Sequence, residues 1–306
     1  MNLLITGGAG YIGTELIFKL LNDSAVSSIV IYDNLNRGNY NFFLGKTKID
    51  SSRLRFVKGD ILDSRKLSKE VEKADIVFHL AAKVTTPFAD YSPHEFDQVN
   101  NWGTAELVYL VEKSKVKKFI YASSISVYGS STEELTMESP LNPKTFYSVS
   151  KMRGEEHVRR LIDSETKTYI FRFGNVYGYS KSMRFDSVIN KFIFETNFSK
   201  RIRIFGDGNQ YRSFIHIDRL CTFLSKIYYS ELKPEIYNLV ESSFKVNEVV
   251  SVLKSLYPEL EMTHVNQNIS MRSLIVKQDE RIQEIKSVKE KELILDLNEF
   301  KSKFSF

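Results

Sequence analysis

The chain has 306 residues, of which 42% are hydrophobic and 26% are charged, a balance that excludes a disordered chain. Its one cysteine, Cys221, excludes a disulfide framework and a cysteine-rich metal site, and no histidine pair has metal-ligand spacing, so we expect no metal. The net charge of +5 is spread along the chain, which disfavours a nucleic-acid partner and suits a small anionic substrate. No run of 18 apolar residues and no secretion signal are found, so we expect a cytoplasmic protein without a membrane partner.

Short apolar strands alternate with longer helical patterns over the first 173 residues. Strands are predicted at residues 3–6, 28–32, 54–58, 76–80, 119–122 and 168–173, and helices at 11–21, 63–73, 94–115 and 146–163. This alternation is typical of parallel βαβ units, and strands without polar alternation indicate a sheet covered on both faces. We therefore predict an α/β fold with a doubly wound parallel (Rossmann) sheet.

The pattern changes after residue 173. Residues 174–213 contain one predicted helix between polar loops, residues 214–240 resemble a return to the first domain, and residues 241–306 are more charged. We therefore predict two lobes. Residues 1–173 with 214–240 form the nucleotide-binding Rossmann domain, and residues 174–213 with 241–306 form a smaller substrate-binding lobe. The cleft between the lobes is the expected ligand site.

The first predicted strand runs into a glycine-rich turn that opens a helix. Gly7, Gly10 and Gly13 are spaced three apart, which permits a tight turn and the close approach of a pyrophosphate to backbone N–H groups. Asp33 follows Gly13 by twenty residues and ends the second strand, where a carboxylate can bind a ribose hydroxyl and repel a 2′-phosphate. The pattern predicts a dinucleotide site that favours NAD over NADP, a preference that Arg37 could weaken.

Tyr147 and Lys151 lie four residues apart, on one face of a predicted helix. A phenol with an ordinary pKa of about 10 is a poor base at neutral pH, and an ammonium close to it would lower that pKa. Tyr147 could then accept and return a proton. Ser124 ends the fifth strand at the carboxyl edge of the sheet, where ligands bind in such folds. Each feature alone is compatible with a chance helix pair or a helix cap, but their order along the chain favours a catalytic group.

In these motifs the chain resembles the extended short-chain dehydrogenases/reductases, and among them the NAD-dependent epimerases/dehydratases of nucleotide sugars, in particular UDP-glucose 4-epimerases. The resemblance covers about residues 1–240 and extends loosely beyond them. It is carried by Thr6–Gly13, Asp33 to Leu35, Gly59 to Ile61, Leu80 to Ala82, Asn100 before Gly103 and Thr104, Ser124 before Val127 to Gly129, and Tyr147 with Lys151. It implies NAD as cofactor, a nucleotide-diphosphate sugar as substrate, and a homodimer formed through the helices at 94–115 and 146–163.

The resemblance also implies roles for individual residues. Catalysis would rest on Ser124, Tyr147 and Lys151. Contacts with NAD would come from Gly7, Gly10, Tyr11, Ile12, Gly13, Asp33, Asn34, Asp60, Ile61, Leu80, Ala81, Ala82, Asn100, Tyr147 and Lys151. Contacts with the substrate would come from Ser124, Asn175, Arg212 and Arg272. On its own, Asp60 would also suit the N-terminal cap of the helix that follows it.

The reaction is predicted from the residues next to Ser124. In the 4,6-dehydratases of the group an acidic pair follows the strand-end hydroxyl, whereas this chain has Ile125 and Ser126. We therefore expect oxidation of a sugar hydroxyl, at C4, and return of the hydride to the other face, which gives an epimerase. Release of the ketone, as in a dehydrogenase or ketoreductase, stays open because Gly174 stands where 4-epimerases often carry an aromatic residue. A 4,6-dehydratase and a non-catalytic NAD-binding protein are less favoured.

Overall fold

The computed structural model describes residues 1–44, 51–84, 92–266, 268, 271–285 and 292–304. The strands are β1 (Asn2–Thr6), β2 (Ser28–Asp33), β3 (Leu54–Lys58), β4 (Ile76–His79), β5 (Lys118–Ser124), β6 (Glu134–Leu135), β7 (Lys167–Phe173), β8 (Asn175–Tyr177), β9 (Arg201–Phe205), β10 (Tyr211–His216), β11 (Ile236–Leu239), β12 (Ser242–Lys245), β13 (Glu261–Val265) and β14 (Ile275–Val276). The α-helices are α1 (Tyr11–Leu21), α2 (Ser64–Val71), α3 (Pro93–Phe96), α4 (Gly103–Glu112), α5 (Phe146–Arg159), α6 (Val188–Ser199), α7 (Ile217–Leu224), α8 (Val246–Leu256) and α9 (Leu293–Lys301). Across these residues, no helix has the length and apolar composition that a membrane span needs.

A seven-stranded parallel sheet forms the centre of the molecule, in the order β11-β7-β5-β4-β1-β2-β3. Successive residues of β1, Leu3 and Leu4, are 1% and 0% exposed although they point to opposite faces, so both faces are covered. Helices α1 and α7 pack on one face, and α2, α4 and α5 pack on the other. The predicted α/β Rossmann fold is confirmed.

The predicted helix over residues 94–115 is wrong in its middle part. Helix α3 passes into a π-helix, Asp97–Trp102, before α4 begins. Two successive asparagines of this π-helix, Asn100 and Asn101, are both buried. Asn100 bonds to the backbone of Lys83, and Asn101 bonds to the imidazole of His157.

A second group of elements, which we call the smaller lobe, consists of short sheets and three helices, and its status as a separate domain remains a prediction. Strands β12, β10 and β8 form one sheet, and β13 pairs with β9. Helices α6, α8 and α9 enclose its own apolar core. Residues 214–240 contribute the end of β10, helix α7 on α1, and the edge strand β11 of the main sheet.

A buried ionic network joins the two lobes through Arg219 on α7. Its guanidinium donates to Glu241 at 2.6 and 2.9 Å and to Asp296 on α9 at 3.1 and 2.7 Å. The Tyr177 hydroxyl of β8 donates to the same Asp296 carboxylate at 2.6 Å. The three charged side chains are each less than a tenth exposed, so two buried anions share one cation.

Candidate active site

A cavity of about 780 Å³ lies at the carboxyl ends of the central strands and reaches the smaller lobe. Most residues that the sequence singles out line it together: Gly7, Gly10, Tyr11, Ile12, Gly13, Asp33, Asn34, Asp60, Ile61, Leu80, Ala81, Ala82, Ser124, Tyr147, Lys151, Asn175 and Arg212. Asn100 and Arg272 do not. The roles of all these residues toward ligands remain predictions.

The glycine turn fits a bound anion. Gly7 has a φ of +70°, and a Cβ there would come within 2.6 Å of the Ala81 nitrogen. A Cβ on Gly13 would lie 2.6 Å from the Cα of Gly8, so both positions require glycine. A Cβ on Gly10 would meet only one carbonyl oxygen, because the space beyond it is open. Helix α1 starts there without a side-chain cap, which leaves its first N–H groups available to a pyrophosphate.

Asp33 stands at the end of β2, as the sequence predicts. Its carboxylate accepts hydrogen bonds from the backbone N–H groups of Ala9, at 3.1 Å, and Leu35, at 2.8 Å. Burial raises the pKa of the carboxyl, and the two N–H groups oppose that rise. Each carboxylate oxygen keeps a lone pair, which a ribose hydroxyl can use.

Asp60 is not a helix cap. Asp63 caps α2, accepting the backbone N–H of Lys66 at 3.1 Å. The Asp60 carboxylate instead accepts the side-chain amide of Asn34, at 2.9 Å, and the backbone N–H of Leu62, at 3.0 Å. It stays at the cavity wall, where an adenine edge can reach it.

Local capping interactions place the three predicted catalytic residues. Ser124 is the last residue of β5 and accepts the N–H of Ser126 at 3.2 Å, which starts a tight turn. Thr145 and Ser148 form a reciprocal capping box that fixes the start of α5. Tyr147 therefore lies in the first turn of α5, and Lys151 lies one turn later on the same face.

Burial shifts the pKa values of both residues of the pair. The Lys151 ammonium donates to the carbonyl of Ala122 at 2.6 Å, and burial lowers the pKa of this lysine to about 7. Burial raises the pKa of Tyr147, and this rise is opposed by the Arg184 guanidinium and by the Ser124 hydroxyl. The expected effect of Lys151 on the pKa of Tyr147 remains a prediction.

Arg184 and Asp186 are cavity residues to which the sequence analysis assigns no role. The Arg184 guanidinium donates to Asp186 at 2.9 and 3.0 Å and to the carbonyl of Val84 at 3.1 Å. Arg37 approaches the same carboxylate at 3.7 Å. Burial raises the pKa of Asp186, but the two guanidinium groups hold it below its usual range. The only signal in the sequence is an Arg-x-Asp pair in a loop whose other charged residue is Lys181.

Asn100 lies behind the cavity wall and is fully buried. Its amide bridges the N–H and the carbonyl of Lys83, at 2.8 and 3.0 Å, and donates to Ser150 at 2.9 Å. Lys83 lines the cavity, so Asn100 supports the wall rather than forming it.

Arg272 lies apart from the other predicted substrate-binding residues. Asn175 and Arg212 line the cavity, and the Asn175 amide donates to the carbonyl of Ser213 at 3.0 Å. Arg272 is exposed and lines a separate recess of about 560 Å³. Its contact with the main site runs through its backbone carbonyl, which accepts a hydrogen bond from the Arg212 guanidinium.

The histidine at the centre of the sheet is held by buried hydrogen bonds. His79 is bonded to Thr6 at 2.8 Å and to Thr104 at 3.0 Å, and burial lowers its pKa to about 3. Over the part of the chain that the structure describes, His, Cys, Asp and Glu side chains form no group of three that could hold a metal ion.

Comparisons with known proteins agree with the motifs. Residues 3–239 match the model of the NAD dependent epimerase/dehydratase family. The dTDP-D-glucose 4,6-dehydratase of Homo sapiens is 34% identical over 274 residues, which are 85% of this chain and 76% of the relative. A putative UDP-glucose 4-epimerase of Methanocaldococcus jannaschii is 31% identical over 261 residues, 82% of this chain and 81% of the relative.

Solved structures share the fold over the whole chain. The UDP-glucuronic acid 4-epimerase of Bacillus cereus, in complex with UDP-glucuronic acid and NAD, superposes with a TM-score of 0.84 at 25% identity, covering 99% of this chain and 98% of that one. The predicted cofactor, NAD, is confirmed by the family and by this complex. With the glycine turn, the strand-end acid and the Tyr-x-x-x-Lys pair gathered at one cavity, the chain belongs to the NAD-dependent epimerase/dehydratase family.

Proposed function

We propose that this protein is a nucleotide-sugar epimerase, which oxidises a sugar hydroxyl at C4 to a ketone and reduces it again from the other face. The proposal is supported by the match to a 4-epimerase with a nucleotide sugar and NAD in one site. The family's dehydratases share the first oxidation, so the outcome depends on which groups surround the ketone.

Each of five cavity residues has a role in the proposed reaction. Ser124 holds the sugar hydroxyl, and Tyr147 takes its proton while the hydrogen on carbon leaves as hydride. Bound NAD supplies the acceptor and later the donor of that hydride. Arg184 stabilises the phenolate form of Tyr147, which makes the proton transfer easier at neutral pH. Asn175 and Arg212 offer an amide and a guanidinium to the diphosphate of the substrate.

The positions of the carboxyl groups in the cavity argue against a dehydratase. Elimination of water needs an acid beside the sugar, and the residues after Ser124 are Ile125 and Ser126. Among the described residues that line the cavity, the carboxyl side chains are Asp33, Asp60 and Asp186.

None of the three suits that role. Asp33 ends β2 and Asp60 follows β3, which lie three and four strands from β5, or roughly 14 and 19 Å at the usual strand spacing. Asp186 is held by two arginine partners, which keep it ionised and therefore unable to donate a proton.

The product assay tests the proposal. The protein with NAD is incubated with a panel of UDP- and dTDP-hexoses and hexuronic acids, and the products are analysed by mass spectrometry and sugar NMR while absorbance at 340 nm follows NADH. We expect interconversion at C4 with unchanged mass and no net NADH.

Two other outcomes would replace the epimerase. A product lighter by one water would show a dehydratase. Net NADH with a released ketone would show a dehydrogenase, an outcome kept open by Gly174. A Cβ at Gly174 would lie 3.1 Å from both the Ser213 carbonyl and the Val240 side chain, so an aromatic wall does not fit there.

The choice between NAD and NADP should depend on Asp33. The carboxylate accepts a bond from a free 2′-hydroxyl and repels a 2′-phosphate, so NAD should bind at least tenfold more tightly than NADP, about 1.4 kcal/mol. Calorimetric titration measures both affinities. Asp33→Asn should bring the affinities for NAD and NADP closer together, whereas Asp163→Asn, at an exposed position, should leave their ratio unchanged. Equal affinities in the wild type would contradict this role.

We also propose a homodimer formed through the face of α4 and α5. Trp102 and Tyr109 are 59% and 49% exposed and lie two helical turns apart, and Phe146 at the start of α5 is 46% exposed. Light scattering at micromolar concentration should give twice 35.5 kDa. Trp102→Glu should give a monomer, whereas Leu295→Glu, which adds the same charge at an exposed position of α9, should not. A monomeric wild type would overturn the proposal.

A further inference from the structure

A buried polar row crosses three strands of the main sheet, one residue below Ser124. Ser123 on β5 is the register partner of Arg172 on β7, and Arg172 is the register partner of Asn238 on β11. The three residues are 3%, 2% and 1% exposed. Polar groups at this depth are costly unless they are satisfied, so the row needs partners.

Glu155 of α5 is the main partner and is itself 1% exposed. Its carboxylate accepts the Ser123 hydroxyl at 2.5 Å and two guanidinium N–H groups of Arg172 at 2.9 and 2.7 Å. The third branch of Arg172 donates to the Tyr128 hydroxyl at 2.8 Å, which donates to Asn238 at 2.9 Å.

Glu155 follows Lys151 by four residues and shares its helix face. The two side chains reach consecutive residues of β5, since Lys151 donates to the Ala122 carbonyl and Glu155 accepts from Ser123. The carboxylate and the ammonium are therefore held at neighbouring positions along β5 by groups that belong to the sheet.

The other charged group packed against Glu155 is the Arg172 guanidinium of β7, which is paired with its carboxylate, and the tyrosines and the histidine around Lys151 are neutral. Tyr121 of β5 lies 3.5 Å from the ammonium, and burial holds its pKa above the usual range. Burial also raises the pKa of Tyr147 on α5 and lowers that of His79 on β4 to about 3. Burial lowers the pKa of Lys151, and Glu155 opposes this fall.

We propose that Glu155 is a positioning residue that keeps Lys151 in its ammonium form at the end of β5, and that Arg172 and Ser123 hold the Glu155 carboxylate in place for this purpose. The proposal rests on the proposed function in so far as Lys151 works beside Tyr147. Arg159 approaches the same carboxylate only at 3.9 Å and from a half-exposed position, so it adds little to the arrangement.

The test is a direct titration of Lys151 in the full chain. Lysines labelled with ¹³C at Cε are followed by NMR between pH 5 and 10, and the Lys151 signal is the one missing from Lys151→Met. Glu155→Gln keeps the shape and the bond to Ser123 but removes the charge, so the titration midpoint of Lys151 should fall by about one pH unit. Glu156→Gln removes the same charge from the exposed face of α5 and should leave the midpoint unchanged.

An unchanged midpoint in Glu155→Gln would overturn the proposal, even if turnover falls, because it would show that Glu155 only fastens α5 to the sheet. If the buried Arg172 without its partner prevents folding, Glu155→Gln with Arg172→Met removes both charges, and a smaller downward shift of the Lys151 midpoint is expected because an anion and a cation are lost together. The titration needs no substrate, so its outcome is independent of the product assay that tests the proposed function.

Discussion

Replacing Tyr147 with phenylalanine should lower turnover by about 10²- to 10⁴-fold while NAD still binds. The phenyl ring keeps the packing, including the edge contact with Phe96 at 6.4 Å between ring centroids. Only the hydroxyl that takes and returns the proton is lost. Turnover is measured with the substrate found in the product assay, and NAD affinity is measured by calorimetry.

A surface tyrosine provides the matched control. Tyr229 is 56% exposed and its hydroxyl bonds to Asp23, so Tyr229→Phe should keep full turnover. Ser124→Ala should be milder than Tyr147→Phe, because one hydrogen bond to the sugar is lost while the proton acceptor stays. Wild-type turnover in Tyr147→Phe would refute the assignment of the proton transfer to this residue.

Arg219→Met should reduce the free energy of unfolding by about 3–5 kcal/mol, a large part of the stability of a typical domain. Methionine fills a similar space, but it leaves the buried carboxylates of Glu241 and Asp296 without a cation. Urea denaturation at 25 °C, followed by circular dichroism, gives the free energy.

Two variants separate charge from packing. Arg201→Met breaks an ion pair with Glu261 whose side chains are 74% and 66% exposed, and it should cost less than about 1 kcal/mol. Arg219→Met combined with Glu241→Gln and Asp296→Asn removes all three charges and should recover part of the loss. A cost for Arg219→Met as small as that of Arg201→Met would show that the network contributes little.

The elements that local patterns specify could be predicted from the sequence. The bounds of α1 and β3 are those predicted, and the glycine turn lies where the spacing of Gly7, Gly10 and Gly13 places it. In each case the signal is contained in a few neighbouring residues: apolar runs, a turn, or a fixed spacing.

The features of the site that could not be predicted from the sequence depend on contacts between distant segments of the chain. Arg184 is 37 residues from Tyr147 along the chain, and no periodicity joins them, yet its charge acts on that phenol. Asn100 lies behind the cavity wall, bonded to the Lys83 backbone and to Ser150, and the π-helix that carries it has no clear sequence signal. The partners of Glu155 lie on β5 and β7, so no local pattern in the sequence indicates them.

The ionic network around Arg219 has a consequence for the synthesis of the chain. Glu241 follows Arg219 by 22 residues, but Asp296 follows it by 77. At about 5–20 residues per second, a ribosome adds Asp296 roughly 4–15 s after Arg219. Within the first 22 residues of that interval the ribosome adds β11, the last strand of the main sheet, and Glu241, and from then until Asp296 is added Arg219 has a single carboxylate partner. The nascent protein can therefore complete its central sheet seconds before it can close the smaller lobe.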